Sequence, residues 1–284
     1  MIYDSMNTLE ELGKRGDLMA ENNNIAVFKD TLIQSRVKYS YFDIKTHFYT
    51  GFDLNVGRAE GNEVIIRKGG TVSTGYEYAE KYKTAILNFA DALEAGGLVW
   101  EGARTQEENI CRCTNLYPVL ASEECKKFYY DANRAHVEKT RAILGRYREV
   151  YTDRIIYTEG VTVFKDDVTY ENIEPRKLDV ITCPSPREHL EPQDALGIYM
   201  GRIIAILMSA VENGAECVIL GAWGCGAFGQ NPYIIAKAFS EALKLYGGNF
   251  KKVVFAIRPT HRDADLSDIF YYQFKANKWE VINE

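Results

Sequence analysis

Two adjacent carboxylates and two glycine-rich segments are the parts of this chain whose residue types and spacing can support chemistry. The acids lie in Gln106-Glu107-Glu108, shortly after the pair Gly96-Gly97, and the second glycine segment, Gly221 to Phe228, comes much later. Glycines leave backbone N–H groups open to phosphate, and a carboxylic acid can protonate a glycosidic oxygen. The pattern therefore predicts a proton donor between two phosphate-binding loops, which suits a nucleotide-sugar substrate.

Glu107 and Glu108 are the predicted catalytic residues. Acids at a helix start are also common as surface residues favoured by the helix dipole, which lowers a carboxyl pKa. Burial, a neighbouring carboxylate and a bound diphosphate raise that pKa, as a general acid needs. The sequence alone leaves both interpretations open.

The predicted substrate-binding residues lie on both loops and on the strand before the first loop. Asn88 ends a buried strand, where its amide can hydrogen-bond a ribose hydroxyl, and Phe228 can stack on a ribose or a base. The alternatives are glycine turns without a ligand, Asn88 as a strand cap and Phe228 as a core residue. The predicted set is Asn88, Gly96, Gly97, Gln106, Gly221, Gly224, Cys225, Gly226, Ala227 and Phe228.

The other polar clusters favour structural roles. Lys165-Asp166-Asp167 contains an acidic pair, for which a turn stabilised by aspartate side chains is the preferred interpretation. Cys111 and Cys113 lie on different faces of a predicted helix and are expected to be structural thiols. No metal and no cofactor is predicted, because ligand spacing is absent among the histidines His47, His136, His189 and His261.

Composition and charge argue against several classes of function. The chain has 284 residues, of which 46% are hydrophobic and 26% charged, as in a folded globular protein. A formal net charge of -6 provides no basic field for binding duplex nucleic acid. Six cysteines without a disulfide-like framework predict a cytoplasmic location, and the apolar run from Ile203 to Val211 is too short to span a bilayer. We expect a monomer without membrane contact.

Alternating strand and helix signals predict an α/β fold with a mixed, largely parallel sheet covered on both faces. Both glycine loops then lie at the carboxyl ends of strands, where such sheets bind ligands. The predicted strands are Glu63 to Arg67, Ala85 to Phe89, Arg154 to Tyr157, Thr162 to Phe164, Leu178 to Thr182, Cys217 to Leu220 and Val253 to Ile257. The predicted helices are Thr71 to Tyr82, a region from Gln106 to Tyr151 broken near Tyr117-Pro118, Asp194 to Asn213, Pro232 to Tyr246 and a last one from Ala264.

The predicted domain division places the main domain at residues 62–284 and an N-terminal helical extension, packed on that domain, at residues 1–61. Within the extension, Asn22-Asn23-Asn24 is interpreted as a turn between two short helices. No linker composition separates the two parts.

Several motifs in this order resemble the bacterial-type poly(ADP-ribose) glycohydrolases of the macrodomain superfamily. The resemblance runs from about Glu63 to Ala256, and the segment up to about Asp53 matches poorly. Its motifs are Ile86-Leu87-Asn88-Phe89-Ala90, Gly96-Gly97, Gly102-Ala103-Arg104-Thr105-Gln106-Glu107-Glu108, Leu116-Tyr117-Pro118, Val163-Phe164-Lys165-Asp166-Asp167, Val180-Ile181-Thr182-Cys183-Pro184 and Leu220 to Phe228.

The resemblance implies a three-layer α/β/α macrodomain that binds ADP-ribose or poly(ADP-ribose) on modified macromolecules and hydrolyses the ribose glycosidic bond without a metal. It also implies that Glu108 protonates the leaving oxygen, that Glu107 holds a ribose hydroxyl, and that Gly224 to Phe228 cover the diphosphate and distal ribose.

The chain departs from the family pattern at Glu94 and Leu98, where the family usually has asparagine and a third glycine. Leu98 is expected to crowd the diphosphate or shift the loop, and Glu94 to add negative charge beside an anionic ligand. Leu98 is thus the feature that most favours the alternative function, a macrodomain that binds ADP-ribose or a signal nucleotide without turnover. The acid pair favours the hydrolase.

Overall fold

The computed structural model describes residues 22–52, 59–145, 149–188, 190–259 and 265–284. The predictions at Asp53, His189, His261 and Ala264 lie outside these residues. In the described part of the chain, eight strands form one sheet: β1 (Lys45–Tyr49), β2 (Glu63–Lys68), β3 (Thr84–Phe89), β4 (Ile155–Lys165), β5 (Asn172–Cys183), β6 (Cys217–Leu220), β7 (Lys252–Ile257) and β8 (Glu280–Asn283).

The strand order is β1-β4-β5-β3-β6-β7-β2-β8, and the run from β5 to β8 is parallel throughout. The two strands at the other edge, β1 and β4, pair antiparallel. The prediction of a mixed, largely parallel sheet is therefore confirmed. Because β3 and β6 are direct neighbours, the two glycine loops that follow them leave the sheet side by side.

Helices and turns connect the strands. They are α1 (residues 22–37), α2 (Thr71–Tyr78), α3 (Gln106–Cys113), α4 (Tyr117–Leu120), α5 (Glu123–Cys125), a π-helical segment (Lys126–Tyr130), α6 (Asp131–Leu144), α7 (Pro192–Glu212), α8 (Pro232–Tyr246), α9 (Leu266–Ala276), and 3₁₀ turns at Val99–Glu101 and Gly247–Asn249. α8 starts where predicted because Asn231 caps it, accepting from the backbone N–H of Tyr233, and Pro232 occupies the first turn.

Two apolar clusters, one on each face of the sheet, establish the three layers. Alternate residues of β3 point to opposite faces, so Leu87 joins one cluster and Ile86 the other. The Leu87 cluster includes Phe239 of α8 and Phe270 of α9, whereas the Ile86 cluster includes Ile110 of α3. The α/β/α arrangement is thus confirmed.

Several predicted element bounds are wrong. Residues 22–24, predicted as a turn, begin the described part of α1. The helical region starting at Gln106 breaks already at Thr114, which forms a β-bridge with Val163, and its last helix ends at Leu144. The two short strands predicted before and after Gly160 are one strand, β4, with a bulge that this glycine (φ 75°) accommodates.

α7 extends on both sides of the apolar run from Ile203 to Val211. Among the described residues, its segment Asp194–Glu212 has the length and composition of a membrane span, but 61% of the most apolar window is buried inside the fold. Ile203 and Leu207 of this helix belong to the Leu87 cluster. Helices in the core of a protein pass the same criterion, so the expected absence of membrane contact stays a prediction.

Candidate active site

A cavity of about 360 Å³ opens at the carboxyl ends of the central strands. Five of the predicted substrate-binding residues line it: Gln106, Gly224, Gly226, Ala227 and Phe228. The walls also contain residues outside the predicted substrate-binding set, among them Phe89, Arg104, Thr105, Asn109, Ser185, Trp223 and Arg258. A cavity of this size suits a nucleotide-sized ligand.

Gln106 ties the first turn of α3 to the end of β3. Its side-chain oxygen accepts from the backbone N–H of Phe89 at 2.8 Å, and its amide donates to the carbonyl of Leu87 at 2.7 Å. These two bonds satisfy backbone groups that lie beyond the last ladder bonds of the strand. Gln106 therefore sets where the following two acids lie relative to the sheet.

Glu107 is buried, with 2% of its surface exposed. One carboxylate oxygen accepts from the side-chain amide of Asn88 at 3.2 Å and the other from the backbone N–H of Asp91 at 2.7 Å. Burial raises the pKa of Glu107 well above its usual value, and the negative charges of Asp91 and Glu108 act in the same direction. The raised pKa favours the protonated form of Glu107.

Glu108 is 4% exposed and makes two hydrogen bonds of its own. Its Oε1 accepts from the backbone N–H of Leu98 at 2.9 Å, and its Oε2 accepts from the hydroxyl of Thr105. Thr105 in turn lines the cavity that the Gly224 turn also lines. The structure therefore places Glu108 directly behind the cavity wall, away from bulk solvent.

The pair Gly96 and Gly97 makes room for the acids and the aromatic ring beside them. A Cβ on Gly97 (φ 56°) would lie 2.5 Å from Glu108 Oε1, and a Cβ on Gly96 (φ 70°) would lie 2.8 Å from the ring of Tyr117. Neither glycine is among the residues that line the cavity. Their observed function is to let the loop fold closely over the carboxylates.

Asn88 lies behind Glu107 and is fully buried. Its amide nitrogen donates to Glu107 and, at 3.3 Å, to the hydroxyl of Thr182 on β5. Asn88, like Glu107 and Glu108, lies behind the residues that line the cavity. In this structure it orients an acid, and the ribose contact expected of it stays a prediction.

The second glycine loop is anchored by Trp223 and Gln230. The buried indole of Trp223 donates to the carbonyl of Cys183 at 3.2 Å, and the backbone N–H of Gln230 donates to the carbonyl of Gly224 at 3.0 Å. Gly224 has a φ of 78°, and a Cβ there would collide with Ser185 Oγ. Glycine is therefore required for the turn itself.

The remaining predicted residues of this loop divide between cavity and core. Gly226 and Ala227 are exposed at the cavity, where Phe228 is half-buried with the guanidinium of Arg187 at 5.8 Å from its ring. Gly221 and Cys225 are not cavity-lining: Cys225 is buried in the Leu87 cluster, and a Cβ on Gly221 would lie 2.7 Å from the carbonyl of Ala256.

An ion pair at the other end of the cavity was missed by the sequence reasoning. Arg258 lines the cavity and donates to Asp167 Oδ2 at 2.9 Å, and Asn109 donates to the carbonyl of the same residue at 3.3 Å. The predicted aspartate turn is confirmed at Asp166, whose Oδ1 accepts from the backbone N–H of Thr169 at 2.7 Å. Its place in the sequence could have indicated Arg258, because this residue directly follows β7 and so lies at the carboxyl ends of the strands, where ligands bind.

The two departures from the family pattern lie outside the cavity wall. Leu98 is 51% exposed and contributes its backbone N–H to Glu108, so its side chain does not crowd the cavity. Glu94 forms an ion pair with Arg134 at 2.9 Å, which offsets its negative charge. The Leu98 side chain therefore leaves the cavity open, and the expected shift of the loop stays a prediction.

Fold and site together define an α/β/α domain with a nucleotide-sized cavity beside a buried pair of acids. The family model for the microbial-type PARG catalytic domain matches residues 13–166, more than half of the chain. The chain belongs to this family. The match begins well before Glu63, so the expectation that the N-terminal segment fits the family poorly is wrong.

Solved structures agree with this assignment. The poly(ADP-ribose) glycohydrolase of Thermomonospora curvata bound to the inhibitor ADP-HPD is 27% identical, covers 89% of this chain and 99% of its own, and superposes with a TM-score of 0.73. The enzyme of Deinococcus radiodurans in complex with ADP-ribose is 27% identical, with coverages of 82% and 95% and a TM-score of 0.70. No curated protein matches the chain.

The matched N-terminal part includes α1, which packs on the segment between the glycine pair and α3. Asn24 donates to the carbonyl of Gly102 at 2.9 Å, and Thr31 donates to the carbonyl of Arg112 at 2.5 Å. The ring of Phe28 stacks edge-on against Trp100 with a centroid distance of 4.9 Å. α1 therefore supports the loop that carries the Leu98 N–H donor to Glu108.

Proposed function

We propose that this chain hydrolyses the ribose glycosidic bond of poly(ADP-ribose) and of ADP-ribosylated macromolecules, releasing ADP-ribose. The observation that carries the proposal is the placement of Glu108, buried directly behind the wall of a nucleotide-sized cavity that the Gly224 loop also lines. The related glycohydrolases with bound ADP-ribose or ADP-HPD support the choice of ligand.

Glu108 is the proposed general acid. It gives its proton to the glycosidic oxygen as the bond between that oxygen and the anomeric carbon breaks, and the electron pair stays with the oxygen. The oxocarbenium-like sugar is then captured by water. Glu107 binds a hydroxyl of the same ribose, for which its oxygens retain lone pairs beyond those used by Asn88 and Asp91.

The second glycine loop is the proposed diphosphate site. Gly226 and Ala227 are exposed at the cavity, and backbone N–H groups in glycine-rich turns can approach phosphate oxygens closely. Arg104 and Arg258 place guanidinium groups on the cavity wall, and the second of them is ion-paired with Asp167. This combination attracts an anionic nucleotide locally without making a general nucleic-acid surface.

Incubation of the purified protein with poly(ADP-ribose), followed by chromatography of free ADP-ribose, tests the proposal. Glu108→Gln should abolish turnover, because the amide keeps the shape but has no acidic proton, while ADP-ribose affinity stays within about tenfold. Glu124→Gln, at an exposed acid on α5, is the matched control and should match the parent. Parental turnover by Glu108→Gln would remove Glu108 as the acid.

The same observations support three further parts of the proposal. The three-layer fold with a ligand cavity at the strand ends supports the macrodomain class. All six cysteines are buried free thiols, which supports a cytoplasmic location. We also retain the expectation of a monomer, which size-exclusion chromatography with light scattering measures directly.

A further inference from the structure

Thr105 occupies the N-cap position of α3 but does not cap it. Its backbone is extended, as N-cap residues are, yet its side chain accepts no hydrogen bond from the first turn of the helix. The spacing of Thr105 and Glu108 is that of a capping box, in which both side chains would bond backbone N–H groups of the helix start. Here the hydroxyl instead contacts the Glu108 carboxylate.

The position of Thr105 puts it between the acid and the cavity. Thr105 is exposed and lines the cavity, whereas Glu108 is 4% exposed and is not among the lining residues. The Oε2 of Glu108 faces the threonine hydroxyl, and its Oε1 faces the Leu98 N–H at 2.9 Å. The two oxygens of the carboxyl group therefore have different partners.

These partners decide which oxygen carries the proton. A backbone N–H can only donate, so Oε1 is held as the accepting, carbonyl-like oxygen of the protonated acid. The proton then lies on Oε2, where the hydroxyl of Thr105 can accept it, because a hydroxyl both donates and accepts. After Glu108 has lost its proton, the same hydroxyl turns and donates to the carboxylate.

We propose that Thr105 is a positioning residue for catalysis, which holds the catalytic proton of Glu108 on the oxygen nearest the cavity and stabilises the carboxylate once the proton has left. The inference rests on the proposed function of Glu108 as general acid. In the step itself the Oε2–H bond breaks, an O–H bond forms on the leaving oxygen, and the electron pair of the broken C–O bond stays on that oxygen.

Other groups around Glu108 do not replace this hydroxyl. Glu107 and Cys111 lie beside Glu108 on α3, and burial raises the pKa of both, so neither brings a positive charge to the Glu108 carboxylate. Losing the hydroxyl thus removes the donor that Thr105 gives to Oε2, and leaves the carboxylate with the Leu98 N–H on Oε1. The proton should then be held more tightly, and the acid should remain protonated to higher pH.

The test compares Thr105→Val, which keeps the shape, and Thr105→Ala, which avoids any packing penalty, with Thr105→Ser, which keeps the hydroxyl. With poly(ADP-ribose) as substrate, the Val and Ala variants should lose about 10- to 100-fold in kcat with little change in KM, the size expected from one hydrogen bond to a charged group. The alkaline limb of kcat/KM against pH should move upward by about one unit. Thr105→Ser should restore both quantities.

Two controls separate this inference from the proposed function. Thr140→Val, which removes a hydroxyl bonded to the carbonyl of His136 on α6, should behave as the parent. The carbon-13 titration of the Glu108 carboxyl, assigned by its loss in Glu108→Gln, needs no turnover, and its midpoint should rise in Thr105→Val but not in Thr105→Ser. An inactive parent would refute the proposed function, whereas an unmoved midpoint, or Ser as slow as Val, would overturn the inference about Thr105.

Discussion

Gly97→Ala is expected to lower both stability and activity, and comparison with a control glycine shows how much of the effect comes from the position of Gly97 beside the acid. Gly97 has a φ of 56°, and an added Cβ would lie 2.5 Å from Glu108 Oε1 and 3.3 Å from Glu107 Oε2. A carboxylate at the end of a flexible side chain can usually move away. Glu108, however, is buried and held by Leu98 and Thr105, so moving it breaks those hydrogen bonds.

The magnitude follows from two contributions. Alanine in a left-handed backbone conformation costs about 1–2 kcal/mol of stability. Alanine also lowers the conformational entropy of the unfolded chain, which returns about 0.4–1 kcal/mol. Displacing Glu108 from the Leu98 N–H adds about 0.5–1.5 kcal/mol, the net contribution of a hydrogen bond to the neutral, protonated acid. For catalysis the displacement matters more, because an error of about 1 Å in a reacting group can cost about a hundredfold in rate.

Gly214→Ala is the matched control. Gly214 also has a positive φ, 71°, but an added Cβ there meets no atom within 4 Å. The residue precedes β6 and so lies at the amino ends of the strands, whereas the cavity lies at their carboxyl ends. Thermal unfolding should show that both variants are destabilised by alanine in a left-handed conformation. Only Gly97→Ala should also release ADP-ribose about a hundredfold more slowly than the parent. If the two variants turn over poly(ADP-ribose) equally fast, Gly97 does not position the acid and the reasoning fails.

Two further changes probe the second loop and the second acid. Gly226→Val should weaken ADP-ribose binding about tenfold or more by calorimetry, because the new side chain projects from a residue that lines the cavity. Little loss of stability is expected, since an added Cβ at Gly226 meets no atom within 4 Å, and Gly51→Val, where an added Cβ is equally free, is the control. Burial raises the pKa of Glu107 in the folded protein well above 4.5, so above pH 4.5 the unfolded chain loses this proton more readily than the folded protein does. The parent therefore loses stability as pH rises through this range. Glu107→Gln has no such proton and should become more stable relative to the parent. Unchanged affinity in Gly226→Val, or a stability difference for Glu107→Gln that stays flat between pH 4 and pH 8, would contradict these expectations.

Elements with strong local signals could be predicted from the sequence. β6 is a short buried apolar run and has the predicted bounds, and α8 has a proline and a capping asparagine at its start. The edge strands β1 and β8 were missed because each pairs with a single neighbour and leaves much of its surface exposed. Such strands are defined by the partner strand more than by their own residues.

The sequence predicted which acids and which loops form the site, but not which contacts each residue makes there. A glycine in a sequence does not reveal what a Cβ would strike, so Gly97 and Gly221 were interpreted as phosphate-binding although one adjoins Glu108 and the other packs against Ala256. Arg258 acquires its role from Asp167, which is far away in sequence, and Thr105 acquires its role from the cavity that the fold forms beside it. Those contacts depend on the tertiary fold, which local patterns do not encode.

Burial of both acids explains how one of them can act. Two adjacent carboxylates in a buried site repel each other, and a bound diphosphate would add to that repulsion. The raised pKa of Glu107, caused mainly by its burial, favours the protonated form of that residue. Its neighbour Glu108 then meets one negative charge fewer when it gives up its proton, and the Leu98 N–H remains to stabilise the new carboxylate. The fold therefore uses Glu107 to set the electrostatic environment of the acid beside the cavity.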